Sequence, residues 1–185
     1  MTIKGNITNP DSLIAAGENS NLSVDASHFN NLTSIDFSEY NNASGVTSIN
    51  TGNATQNAKL VTIKGSTTKD AITINSTNLK LIDAGAGNDT VTFNATQTND
   101  VTVNLGAGND TITTAALTAN KKFEITGGAG NDKFKLAAST TTDDTASKYV
   151  TITDASRGDK IGLSNSVTGF VKTNANATSG QTDLK

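Results

Sequence analysis

The 185-residue chain has no cysteine and no tryptophan, a single proline, a single histidine, and aromatic residues at only 4%. Without cysteine there is no disulfide framework and no thiolate metal site, so packing, backbone pairing or bound ions must hold the fold. The lone histidine, His28, offers little with which to position a general base, and no H-E-x-x-H segment supplies zinc ligands. Carboxylates such as Asp143-Asp144 are neighbours in sequence and would point apart in an extended segment. Tyr40 and Tyr149 are too few to line the aromatic groove of a polysaccharide lyase. These absences argue against an enzyme. No apolar run is long enough to span a bilayer, and Met1-Thr2-Ile3-Lys4-Gly5 lacks the charged and apolar regions of a signal peptide. With a net charge of −3 and no basic stripe, nucleic acid is not an expected partner.

What the chain does have is threonine, asparagine, glycine and alanine. Threonine favours strands, while glycine and asparagine favour turns, so the mixture predicts many short strands joined by tight turns. Several Asn-x-Ser/Thr triplets, such as Asn31-Leu32-Thr33, follow from this composition and carry little further information. The length fits one domain. The start and the ending Gln181-Thr182-Asp183-Leu184-Lys185 read as the edges of a piece of a longer protein.

Three segments repeat closely: Ile82-Asp83-Ala84-Gly85-Ala86-Gly87-Asn88-Asp89, Val103-Asn104-Leu105-Gly106-Ala107-Gly108-Asn109-Asp110 and Ile125-Thr126-Gly127-Gly128-Ala129-Gly130-Asn131-Asp132. Asp89 and Asp110 are 21 positions apart, Asp110 and Asp132 are 22. Weaker copies keep Asp70, with Ser66 and Thr68 replacing glycines, and Asp159, preceded by Arg157-Gly158. Apolar anchors continue the series as Ile35, Ile49, Ile63, Ile82, Val103, Ile125 and Ile152. After each loop the pattern alternates with period two, as in Ile72 and Ile74, Val91 and Phe93, Phe134 and Leu136, Ile161 and Leu163. One face is therefore predicted in a core and the other in water. Thr114 breaks this alternation.

A unit of this size cannot bury its apolar face alone, but stacked units share one core. The expected fold is all-β, a right-handed parallel β-solenoid. A sandwich of hairpins is the competing architecture, and it rarely repeats one loop sequence. The solenoid is placed at 31–165, strongest at 82–136. Residues 1–30 are expected to be a cap or lead-in with a short helix from Asn9 and Pro10 to Gly17, and 166–185 a polar tail.

Calcium takes many oxygen ligands in flexible geometry, and glycines let successive carbonyls aim at one point while aspartate supplies charge. Plain Gly-Asn turns, with the aspartate accepting from backbone N–H groups, would use the same residues. The loops resemble the RTX nonapeptide, the G-G-x-G-x-D-x-U-x calcium repeat of type I-secreted proteins. Gly127 to Lys135 matches every fixed position, and the other two loops depart only where Ala84 and Leu105 replace the first glycine. The resemblance implies an RTX β-roll. The Asn94-Ala95-Thr96-Gln97-Thr98 and Ala119-Asn120-Lys121-Lys122 connections lack the motif, so one row of ions along one edge is expected rather than two. It further implies one site at Gly85, Gly87, Asp89, Leu105, Ala107 and Asp110, and another at Gly106, Gly108, Asp110, Gly127, Ala129 and Asp132. Asp110 is then shared, and Asp70 and Asp159 mark weaker outer sites.

The Thr/Asn/Ala-rich, acidic, cysteine-free chain as a whole resembles an RTX-type bacterial surface-layer protein. That implies an extracellular, type I-secreted structural protein which self-associates into a lattice with calcium. The alternative is a β-roll module of an adhesin or a secreted enzyme, binding a cell-surface glycan. An ice-binding roll is disfavoured because Ala86, Ala107 and Ala129 take its threonine-like position.

Overall fold

A computed structural model describes residues 2–3, 12–14, 23–26, 29, 31–40, 47–52, 58–137 and 149–163. Its strands, in chain order, are β1 (Thr2–Ile3), β2 (Ser12–Ile14), β3 (Ser23–Asp25), β4 (Ser34–Asp36), β5 (Thr47–Asn50), β6 (Thr62–Lys64), β7 (Asp70–Ile74) and β8 (Leu81–Asp83). They continue as β9 (Thr90–Phe93), β10 (Val101–Asn104), β11 (Thr111–Thr113), β12 (Lys122–Thr126), β13 (Lys133–Leu136), β14 (Tyr149–Ile152) and β15 (Lys160–Leu163).

Odd-numbered strands form one sheet in the order β1-β3-β5-β7-β9-β11-β13-β15, and even-numbered strands form the other in the order β14-β12-β10-β8-β6-β4-β2. Neighbouring strands run parallel. The chain thus crosses from sheet to sheet at every connection and returns one rung further on. This is the all-β parallel solenoid that the repeats predict.

In-register pairing stacks like residues in columns. Val24, Ile49, Ile72, Val91, Ile112 and Phe134 line one inner wall. Ile35, Ile63, Ile82, Val103 and Ile125 line the other. All eleven are buried. Phe93 and Phe123 close the space between the sheets, their rings edge-to-face at 4.9 Å. Thr114 is buried in this interior, and its hydroxyl accepts the Ala137 N–H at 3.0 Å. At the edge away from the glycine-rich loops, Gln97 is buried and donates to the carbonyls of Ser76 and Ala95, both at 2.8 Å.

Three expectations change. Ile49 does not continue the column of Ile35 and Ile63, which pair with each other directly; it lies on the opposite sheet between Val24 and Ile72. Ile49 is 14 residues from each of them, which is half a turn rather than a full one. The helix anticipated over 9–17 is not formed at Ser12–Ile14, which is strand β2 paired with β4, so the solenoid begins well before residue 31. Ladder pairing by backbone groups outweighs the helix-start signals there. The remainder of that segment, His28, Asp143-Asp144 and the 166–185 tail lie outside the described residues. Among the described residues no helix is long and apolar enough to cross a membrane.

Phe123 is fully buried between the sheets, so Phe123→Ala should cost about 3–5 kcal/mol in denaturant unfolding. Tyr149, 53% exposed, should tolerate alanine within about 0.5 kcal/mol.

Candidate metal centre

The connections β6–β7, β8–β9, β10–β11, β12–β13 and β14–β15 all lie on one edge, where the chain passes from the even to the odd sheet. The three matching loops stack so closely that Ala86 bridges Ala107, and Ala107 bridges Ala129. Glycine is required there. Gly108 has φ at +146°, and a Cβ on it would overlap the Gly87 carbonyl.

Each loop ends on an aspartate that the turn carries inward. Asp89, Asp110 and Asp132 are 0–1% exposed. One carboxylate oxygen of each accepts the backbone N–H of the equivalent aspartate one turn earlier. Asp89 Oδ1 accepts from Asp70 at 2.7 Å, Asp110 Oδ1 from Asp89 at 2.7 Å, and Asp132 Oδ1 from Asp110 at 2.9 Å. The other oxygen, Oδ2, has no hydrogen-bond partner in any of the three. Three buried carboxylates therefore follow one another along the edge, each with one oxygen unsatisfied.

The electrostatics reflect this. Burial raises Asp89 from an ordinary 3.8 to about 8, with the neighbouring Asp70 and Asp110 charges adding to the rise and the Asp70 N–H opposing it. Burial raises Asp110 to about 6, helped by the Asp132 charge. Asp132 also rises, through burial and the charges of Asp159 and Asp154.

The flanking loops differ in one respect that decides their chemistry. Asp70 accepts both the N–H of Ser66 at 2.6 Å and its hydroxyl at 2.8 Å, one on each carboxylate oxygen. Asp159 accepts from Asp132 N–H at 2.9 Å and Ser156 N–H at 2.7 Å, again one on each oxygen. Neither leaves an oxygen without a donor. Sequence reasoning missed Asp154, whose two oxygens accept the N–H groups of Gly127 and Gly128 at 2.8 and 2.7 Å. The signal was present: Asp154 stands at the loop position held elsewhere by Ala84, Leu105 and Gly127.

The backbone oxygens of the anticipated ligand sets fall into two groups. Gly85 O, Ala107 O, Gly106 O and Ala129 O accept amides of the adjacent loop at 3.1, 2.7, 2.9 and 2.8 Å. Each retains a second lone pair. Gly87, Leu105, Gly108 and Gly127 occupy equivalent rungs of the same stack. Among the described residues no group of three or more His, Cys, Asp or Glu side chains forms a metal cluster. Any cation at this edge would therefore draw its shell largely from carbonyls. The donor set fits a hard cation, since it is all oxygen and shielded from water, and each of the three central turns has one carboxylate oxygen without a partner that a cation would keep ionised.

Compared with protein-family models, curated proteins and solved structures, the chain gave no significant match.

Two outcomes follow from this geometry. In chelator, protonated Asp89 and Asp110 stabilise the fold. Their folded pKa lies above the unfolded value of about 4, so that stabilisation is complete below about pH 4. It is lost as pH rises through about 6 for Asp110 and about 8 for Asp89. The melting temperature without metal should fall between pH 5 and pH 9, and Asp89→Asn with Asp110→Asn should flatten the profile. A wild-type melting temperature constant over that range would refute the buried row. Gly108→Ala, introducing a methyl where the next carbonyl lies, should destabilise by more than about 1–3 kcal/mol, and Ala107→Gly by about 1 kcal/mol or less, in chemical denaturation.

Proposed function

We propose that this chain is a calcium-binding structural domain of a secreted bacterial surface-layer protein, stabilised and assembled by calcium. The observation that carries the reading is the row of Asp89, Asp110 and Asp132, each buried with one carboxylate oxygen unsatisfied. Calcium suits such a row better than zinc or magnesium. There is no cysteine, and the single histidine lies outside the loops. Magnesium demands a more regular octahedron than stacked loops supply.

In this reading the first ion is held by Asp89 and Asp110 with carbonyls of Gly85, Gly87, Leu105 and Ala107. The second is held by Asp110 and Asp132 with carbonyls of Gly106, Gly108, Gly127 and Ala129. The chain's part is to bury the carboxylates, aim them along the edge and exclude water; the ion supplies the positive charge that keeps them ionised. An ion bound only by the folded state stabilises it by about 2.7 kcal/mol per site at a hundredfold excess over Kd. Affinity on the order of 10⁻⁴ to 10⁻³ M, as in extracellular modules, would leave the row unfilled in cytosol and filled after export. The surface-layer assignment is supported by the Thr/Asn/Ala-rich, cysteine-free composition. The second reading, a β-roll module of an adhesin or secreted enzyme, shares the site and differs in assembly.

Melting temperature should rise with free calcium and more steeply at pH 8 than at pH 5, where protons compete. Calorimetric titration of Asp110→Ala should lose about two bound ions, whereas Asp70→Ala should lose none, since Asp70 is satisfied within its own loop. Equal stoichiometry in both variants would defeat the shared-ion row. Light scattering on calcium addition separates the two readings: growth of large assemblies supports the lattice, and a persistent monomer supports the module.

A further inference from the structure

The outer face of the odd-numbered sheet changes character at its last two rungs. Thr90 and Thr92 on β9 register with Thr111 and Thr113 on β11. These register with Lys133 and Lys135 on β13, and Lys133 registers with Lys160 on β15. All three lysines are exposed, while Val91, Ile112 and Phe134 between these polar columns point inward. Adjacent rungs lie about 4.8 Å apart, so Lys133 and Lys160 present two like charges side by side.

Among the described residues no carboxylate forms an ion pair with them. The ion pairs among the described residues are Lys64 with Asp36 and Lys122 with Glu124. Asp154 and Asp159 keep their negative charge nearby, but their oxygens are turned to backbone N–H groups rather than to the lysines. Beside the lysines a cavity of about 410 Å³ opens, lined by Asn109, Asn131, Asp132, Lys133, Gly158 and Lys160. Asp132 adds no exposed charge, because its side chain is buried and bonded to the Asp110 N–H. Asn109 Oδ1 accepts the Asn131 N–H at 2.8 Å. The cavity thus has the exposed ammonium groups of Lys133 and Lys160 at its rim, on a chain whose net charge is −3.

We propose that this face binds an acidic polysaccharide, with carboxylates of the polymer at Lys133, Lys135 and Lys160 and its hydroxyls along the threonine columns. The size suits one or two sugar units. Threonine hydroxyls both donate and accept, which matches sugar hydroxyls. A single-stranded nucleic acid would want aromatic stacking platforms, and the aromatic side chains of these strands, Phe93 and Phe134, are buried. The site needs the folded solenoid and no ion in the loops, so its failure and that of the calcium reading are distinguishable.

The experiment measures binding of hyaluronan oligosaccharides to the whole chain at low salt, with its β-sheet circular dichroism verified, beside neutral dextran of equal length. Hyaluronan should bind, weaken with added salt, and not be replaced by dextran. Lys133→Gln with Lys160→Gln should lower affinity about tenfold or more, Lys135→Gln less, and Lys80→Gln, exposed in the loop before β8, not at all. Absent hyaluronan binding, equal binding of dextran, tighter binding of a DNA oligonucleotide, or equal affinity in the double variant and Lys80→Gln would each overturn the proposal. So would a double variant that keeps hyaluronan but loses self-association in light scattering, which would assign the lysines to a second copy of the chain.

Discussion

The fold depends on in-register parallel stacking, which superposes each residue on its counterpart one turn away. For apolar side chains this is favourable: the two inner columns run from Val24 to Phe134 and from Ile35 to Ile125 without a break. For amides it is favourable as well, as in the run from Asn50 to Asn75 to Asn94, linked by side-chain hydrogen bonds of 2.9 and 3.0 Å. For carboxylates it is costly, since like charges meet inside a poorly solvated edge. The same translation that builds the core therefore sets like charges against one another along the glycine-rich edge.

The molecule meets that repulsion in two ways. At the ends of the row the aspartate is satisfied on both oxygens, by Ser66 around Asp70 and by Ser156 and the Asp132 amide around Asp159. In the centre, glycines take the positions of Ser66 and Thr68. The loops then pack carbonyl against Cα, and one oxygen per carboxylate is left over. Asp154 performs a related task at the last turn, drawing off two loop amides. Hydrogen-bonded ends and an oxygen-rich middle form a bounded row rather than an indefinite one.

How much of this was legible in the sequence varied with punctuation. The three central loops were readable because glycine, asparagine and aspartate recur at fixed offsets, and the edge they mark is the edge observed. Upstream, where no loop motif flags the turn, equal spacings of 14 residues left Ile49 indistinguishable from a full-turn repeat of Ile35. Ser12–Ile14 carried helix-start signals, yet its partner strand lies 22 residues on, a relation invisible to local propensity. The difference between Asp70 and Asp89 was also hidden, because it rests on whether a serine hydroxyl reaches a carboxylate oxygen. Asp154 went unread because the loop template expects a small or apolar residue there.

The clasps within the glycine-rich edge run in opposite directions. Asn88 Oδ1 receives the N–H of Asn109, and Asn109 Oδ1 that of Asn131, each side chain serving the turn after it. The adjoining aspartates serve the turn before. The units of Asn88-Asp89 and Asn109-Asp110 thus each carry a forward hook and a backward hook, while that of Asn131-Asp132 carries the backward one. A tandem duplication of one unit would find both hooks engaged and would add one carboxylate to the row; a deletion would remove one and close the gap. Neither would disturb the serine-bonded ends. The length of the row is accordingly set by the number of such units.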